Sequence, residues 1–471
     1  MERIYFDKQI FSYLFKGKDP IYTKFLSDLY AYKDSFVFCF SHAHLLDLKN
    51  DKTDIKYSEL EFMETLVKDN YLAYDPIQKR TACFLAKPSE AFKDTDVEET
   101  PFSFSNFFSD IDLSFATQEQ KEQILVARNV LENQKIDFNF PQMADIPEEL
   151  QKPFGSIFPI GVDSLSIMEW SEHLMGMVKS MEEDKTVYKG VRNLVDKYVN
   201  NGKFTIDIDT IDFNKDLKNS VLQKTFIEYV NGNLNPNGDK EVTNYDFFIN
   251  AYFTLDLLGI SKEPAKSVKF KNVMNDGFHS YYGAFCDYVV SDDQGFLKKS
   301  KVMYKLLGIE TKIFHIDDFI EYFYTLKENK EKDINTFLTV LINDINDGLV
   351  INSWDSINYD RHTKTIRPLH NYLGYFNVID NINEENQNFI YISRKVQNYS
   401  NFLFYREFEG VVNRAIRLFG TDTNLKSFFE WDKEIEEIET HIWEGRFWEF
   451  DTFKILLEIN KGNGKFSLLV S

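Results

Sequence analysis

Cysteine is scarce. The chain has three in 471 residues, Cys39, Cys83 and Cys286, too few for a disulfide framework. None stands in a CxxC or Cys/His spacing that would hold zinc. All three lie among apolar neighbours and read as core thiols of a reducing compartment, which points to the cytoplasm. No run of about 18 apolar residues occurs, so no membrane-spanning helix is expected. The opening MERIYFDKQIFSYLF lacks the apolar stretch and small-residue cleavage site of a secretory signal. There is no G-x-x-x-x-G-K-[ST] loop, which excludes that route to nucleotide binding. Gly161-Val162-Asp163-Ser164 is not a G-x-S-x-G elbow. Asp7-Lys8-Gln9 lacks the second aspartate of an aspartyl-nucleophile phosphatase. Positive charge is also short, since 54 basic against 75 acidic side chains leave a formal charge of −21. That balance excludes a uniformly basic nucleic-acid coat but not a local basic groove.

Aromatic residues are plentiful, with 45 Phe and 25 Tyr, and read as core filling. The first segment alternates short strands with helical patterns. Ile4-Tyr5-Phe6 is an apolar run ending at Asp7, with a helical pattern to Phe15 and another over Tyr22 to Tyr32. Phe36-Val37-Phe38-Cys39-Phe40 is a continuous β-prone run, the pattern of a strand buried on both faces. A helix is expected from about His42. Ser58 and Glu61 form a capping box for the next. This order predicts a parallel sheet covered by helices. From Lys87 the chain turns acidic and aromatic without a clean period. Long helical patterns follow over Thr117 to Asn133 and Leu165 to Asn200, connected through Pro141, Pro147 and Pro153. Asn231 to Asp239 reads as a loop, and Asn244 to Leu258 as a helix. After Lys266 the strand–helix alternation returns. Tyr288-Val289-Val290-Ser291 is a strand ending in Asp292-Asp293, followed by a helix closed at Gly308. Lys312 to His315 is another strand, with a helix from Asp317. The expected organisation is an α/β domain in two parts, 1–90 and 267–327, a mostly helical insertion at 91–266, and an α+β region at 328–471.

Carboxylates recur at strand ends. Asp7 ends the first strand, Asp47 lies on the helix after the second, Asp276 begins the helix before the third, and Asp292 and Asp293 follow that strand. In a parallel sheet the carboxyl ends of strands share one rim, where ligands bind. Several carboxylates on one rim repel each other unless a divalent cation lies among them. Oxygen-only ligation suits Mg²⁺ or Mn²⁺. Such clusters activate water and brace a phosphodiester.

These segments resemble a PIN-like nuclease domain. IYFDKQIFSYL is similar to that family's strand–aspartate–helix start, and FVFCFSHAHLLDL to its strand–Ser–helix segment. NDGFHSYYGAFCDYVVSDDQGFLKKSKVMYKLLGIETKIFHIDDFI is similar to its Asp–helix–strand–Ser-x-Asp stretch with the following helix and last strand. The chain departs from the pattern in carrying Asp47 where Glu is commoner, Gln9 where Asn is commoner, and a large interruption. The resemblance implies a three-layer domain with a central parallel sheet. It also implies metal-dependent hydrolysis of RNA or DNA leaving a 5′-phosphate, with Asp7, Asp47, Asp276 and Asp293 as metal-holding catalytic residues and Asp292 as a further ligand. By analogy alone, a large and governed nuclease suits a toxin-like or phage-defence effector, with a regulatory protein partner or a second copy as its control. The alternative is a non-catalytic PIN-like scaffold binding protein or nucleic acid.

Plainer roles stand beside these. Asp is a favoured helix N-cap, so Asp7, Asp276 and Asp293 each admit a capping role. Asp287, at the start of the third strand, reads as structural. His279 shares a helical face with Asp276 and reads as a helix histidine satisfied by packing, with orienting a carboxylate or touching phosphate as the alternative. His42 and His44 read as surface residues near Ser41, with one of them facing the site as the alternative, and Lys298, Lys299 and Lys301 as a solvated helix face, with phosphate contact as the alternative. RHTKTIRPLH, with Arg361, His362, Arg367 and His370, reads as a polar loop with nucleic-acid contact as the alternative. Trp431 to Asp451 reads as an acidic amphipathic helix with Trp431, Trp443 and Trp448 turned inward, with a protein–protein contact as the alternative.

Overall fold

β-branched and aromatic runs build the first sheet, and helical repeats between them cover it. The computed structural model describes residues 1–17, 19–32, 35–95, 117–137, 151, 162–198, 212–219, 222–235, 238–239, 241–258, 270–326, 332–356, 360–385, 387–395, 398–400, 402, 404–460 and 464–471. The stretch 96–116, the residues 259–269, and Pro141, Pro147 and Pro153 lie outside them. Contacts divide the chain into two units. The first comprises Met1–Ala91, Tyr282–Leu297 and Leu307–Ser471, and the second comprises Phe92–Tyr281 and Lys298–Leu306.

In the first unit, β1 (Glu2–Phe6), β2 (Phe36–Ser41), β3 (Asn70–Asp75), β4 (Arg80–Leu85), β5 (Tyr288–Ser291) and β6 (Lys312–His315) form one sheet, in the order β4-β3-β2-β1-β5-β6. All neighbours pair parallel except β3 with β4. The α/β class expected from the apolar runs therefore holds. β2 and β5 are buried along their whole length, as continuous apolar runs demand in a sheet covered on both faces. Helices α1 (Lys8–Lys16), α2 (Pro20–Ala31), α3 (His42–Asn50) and α4 (Ile55–Val67) follow β1 and β2. The chain leaves β1 towards β2 and β3, then returns on the other side of β1 at β5. The carboxyl end of β1 is thus a switch point, where loops diverge and leave room for a ligand. Helix α4 starts three residues ahead of Ser58, with Asp54 at its N-cap, so Ser58 and Glu61 do not form the expected capping box.

A second sheet in this unit is wholly antiparallel. It contains β7 (Leu349–Asp355), β8 (Arg361–Arg367), β9 (Val378–Glu384), β10 (Gln387–Ser393), β11 (Arg446–Glu449), β12 (Lys454–Ile459) and β13 (Phe466–Val470), in the order β11-β12-β13-β10-β9-β8-β7. The basic segment read as a loop is β8, whose polar side chains hide its strand period. The acidic tryptophan segment is helical only over Trp431–Glu439. Trp443 and Trp448 are buried, the latter on β11, so the tryptophans do turn inward from a mixed structure.

Arg3 on β1 is fully buried and gives Nε and Nη2 to the two oxygens of buried Glu407, at 3.0 and 2.6 Å. Arg394 donates to both oxygens of Asp287, at 2.9 and 2.7 Å, and also to Glu407. The Asp287 carboxylate accepts the backbone N–H of Arg3 at 2.8 Å. Asp287 is therefore structural. The network ties the first strand to residues near position 400 with every charge opposed, the condition under which buried ions are tolerated.

The second unit is mainly helical among its described residues: Gln118–Asn133, Ile167–Glu183, Lys185–Tyr198, Phe226–Leu234, Asn244–Leu257 and most of Phe270–Gly283. Thr117, Ser166 and Thr225 each cap a helix reciprocally with the Gln or Glu three residues on. The expected loop from Asn231 is helical as far as Leu234. Asp256 is buried, accepts the Tyr188 hydroxyl, and lies 3.6 Å from both Arg192 Nε and Lys299 Nζ. Among the described residues no helix is long and apolar enough to cross a membrane. Cys39 and Cys286 are buried and Cys83 is half-buried, all three as free thiols.

Candidate metal centre

The first unit carries the site, and β1 delivers its first residue. Asp7 stands where an N-cap of α1 belongs, yet its side chain makes no capping bond. Its carboxylate turns instead towards β5 and accepts the Ser291 hydroxyl at Oδ2, at 2.6 Å. The Asp7 backbone N–H is held by the Val290 carbonyl at 2.9 Å. The cap reading of Asp7 is thereby set aside.

Asp47 comes from α3. A carboxylate oxygen of Asp7 and one of Asp47 lie within 4.8 Å of each other. Their spacing is set by a buried hydrogen-bonded anchor. Ser41 ends β2 and caps α3, accepting the Ala43 N–H at 3.3 Å. The Ser41 N–H donates to His44 Nδ1 at 3.1 Å, and His44 Nε2 meets the Phe6 carbonyl at 2.7 Å. Nδ1 is thus an acceptor and Nε2 the donor, the neutral tautomer. Because Phe6 precedes Asp7 and His44 is three residues before Asp47, this imidazole fixes one carboxylate-bearing element on the other. The Tyr5 hydroxyl bonds Ser41 Oγ at 2.7 Å. His44 is fully buried, not the surface residue expected from sequence. Its signal was available, since a His three after a strand-ending Ser can complete a capping box.

Asp293 behaves differently from Asp7. It is exposed, and its Oδ1 accepts the N–H groups of Gly295 and Phe296 at 2.7 and 2.9 Å. Its own N–H donates to Ser291 Oγ at 3.1 Å. Asp293 therefore caps the helix Gln294–Leu307 and is joined to Asp7 through Ser291. Asp292 accepts the Tyr13 hydroxyl at Oδ2 and lies against His315 Nε2 at Oδ1, both at 2.8 Å. Tyr13 and His315 escaped the sequence reading because no local spacing links positions 13, 292 and 315. Lys8 is drawn off to Glu59 at 2.8 Å, with Lys16 at 3.8 Å from the same buried residue.

Asp276 and His279 belong to the second unit. Asp276 lies in mid-helix, not at the start expected, because the helix already begins at Phe270. The Nζ of fully buried Lys299 stands 3.9 Å from its carboxylate. Lys299 is accordingly an interior cation, not part of a solvated face. His279 is buried on the same helix.

Asp7 and Asp47 each offer a carboxylate oxygen. Two carboxylates this close repel as anions, and a small hard dication between them relieves that repulsion. Carboxylate oxygens such as those of Asp7 and Asp47 are donors that suit a hard ion such as Mg²⁺ or Mn²⁺. No family model, no curated protein and no solved structure matches this chain.

Proposed function

We propose that this chain is a PIN-like, Mg²⁺- or Mn²⁺-dependent phosphodiesterase that hydrolyses RNA or DNA. The observation that carries the assignment is the approach of Asp7 and Asp47 to within 4.8 Å at the switch point of a largely parallel sheet. Asp7 would hold the ion while Ser291 fixes its Oδ2, and Asp47 would hold it from the facing helix. His44 and Ser41 keep the two elements in register. Asp293, engaged as a cap, supports the site through Ser291 rather than as a ligand. When bound, the ion would supply Lewis-acid stabilisation of the phosphoryl oxygens and lower the pKa of attacking water. Three free thiols suit a reducing compartment, so the cytoplasm is part of the proposal. Single-turnover assays on end-labelled RNA and DNA with Mg²⁺ or Mn²⁺ test it. Cleavage by the wild type, lost in both Asp7→Asn and Asp47→Asn, is the expected result. Equal activity in all three proteins would overturn it.

A second reading has its own observation. With Asp293 Oδ1 capping a helix and Asp276 facing Lys299, two of the four expected carboxylates have other partners. A non-catalytic scaffold would bind the ion at Asp7 and Asp47 yet cleave nothing, which separates the two readings.

A further inference from the structure

A polyanion meets an unfavourable surface at this rim. The chain carries a charge of −21, and Asp7, Asp292, Asp293, Asp317 and Asp318 all fall at the carboxyl ends of β1, β5 and β6. The lysines of α1 do not compensate, since Lys8 and Lys16 are drawn to Glu59. Lys24, on α2, lies over the Tyr324 ring at 5.5 Å. Phosphate contacts, which supply most nucleic-acid affinity in basic proteins, are therefore weak here beyond what a bound dication would give. Stacking of the bases would add a grip that does not depend on phosphate charge.

The rim offers an aromatic surface for them. Tyr13 and Tyr22 stack with ring centroids 5.5 Å apart and planes inclined by 23°. Tyr13 is fixed from two sides, accepting from Gln9 Nε2 and donating to Asp292 at 2.8 Å. Burial and the Asp292 carboxylate push its phenol up to about 12, so the ring stays neutral and the bond persists at physiological pH. Asp292 adjoins Ser291, which holds Asp7, so the stack and the carboxylate pair share one rim. Tyr22 is presented by the first turn of α2, which Asp19 caps through the Ile21 N–H at 2.9 Å and Pro20 starts. Both rings are half-buried. A locked first ring with a second stacked on it is a preorganised platform, and a base placed on it pays little ordering entropy.

We infer that the Tyr13–Tyr22 stack is a base-stacking subsite for single-stranded nucleic acid beside the Asp7–Asp47 pair. The inference rests on the nuclease reading and names its substrate as unpaired, since a base within a duplex has no free face to offer. Because stacking rather than phosphate neutralisation supplies the grip, binding depends only weakly on salt.

The test is fluorescence anisotropy of the full chain with a labelled single-stranded oligonucleotide, with Ca²⁺ replacing Mg²⁺. An abasic oligonucleotide with the same number of phosphates serves as the second probe. Tyr22→Phe should bind as the wild type does, and Tyr22→Leu roughly fivefold or more weakly. The abasic probe should bind the wild type more weakly by a similar factor. Equal affinity of the wild type for both probes overturns the inference even where Tyr22→Leu fails to fold, as does unchanged binding in a folded Tyr22→Leu protein. Absence of oligonucleotide binding overturns it too. Loss of Mn²⁺ binding in Asp7→Asn, measured separately, shows whether the metal site beneath it stands.

Discussion

The Ser291 hydroxyl donates to Asp7 Oδ2 at 2.6 Å across 284 residues of chain, and in the same position accepts the N–H of Asp293 at 3.1 Å. One buried hydroxyl thus orients a carboxylate on the neighbouring strand and anchors the following helix. Groups that orient a ligating carboxylate typically change metal affinity by tenfold to a hundredfold when removed. Ser291→Ala is expected to weaken Mn²⁺ binding by roughly tenfold while the circular dichroism spectrum stays that of the wild type. Undiminished affinity would show that the Asp7 orientation does not depend on this bond.

His44→Ala should be felt at two levels. It leaves the Phe6 carbonyl and the Ser41 N–H without their partner inside a buried region. Each stranded group costs about 1–3 kcal/mol, so a clear loss in denaturant stability is expected. In the folded fraction the Asp7–Asp47 spacing loosens, and metal affinity should fall more than in a surface control such as Lys52→Ala. Stability lost without any change in metal affinity would restrict His44 to a packing role.

Stability should fall in acid with a defined sign. Burial favours the neutral form of Glu407, but Arg3 and Arg394 outweigh it and pull its carboxyl down to about 2. A carboxyl depressed on folding contributes stability above its unfolded value near 4.3, and that contribution is lost as pH falls towards 2. For this fully buried group it is on the order of 3 kcal/mol. Urea midpoints should be level from pH 7 to about 5 in this respect and then decline. Glu407→Gln leaves two buried guanidinium groups under-compensated and should cost about 3–5 kcal/mol at pH 7. A Glu407→Gln protein as stable as the wild type would exclude the network as a tie between β1 and the helix Tyr405–Phe419.

Apolar runs made much of the first sheet legible. Phe36 to Phe40 and Tyr288 to Ser291 could hardly be anything but buried strands, and Asp7 after Ile4-Tyr5-Phe6 followed from the same grammar. What escaped has a common cause: partners distant in sequence. Arg3 reads as an exposed charge until Glu407 is seen against it, and Lys299 as a solvated lysine until Asp256 is. Arg361 to Arg367 hides its strand because polar residues occupy both faces. Asp293 could be a ligand or a cap by sequence, and only the direction of its side chain shows that its Oδ1 caps a helix. Asp276 reads as a helix start because nothing near Phe270 announces an earlier one.

Calorimetric titration with Mn²⁺ tests the central claim, that Asp7 and Asp47 share one cation. The expected result is one site per chain in the wild type, abolished in Asp7→Asn and in Asp47→Asn and retained in Asp293→Asn, whose side chain caps a helix. Binding that survives both of the first two substitutions, or no site in the wild type, would contradict it.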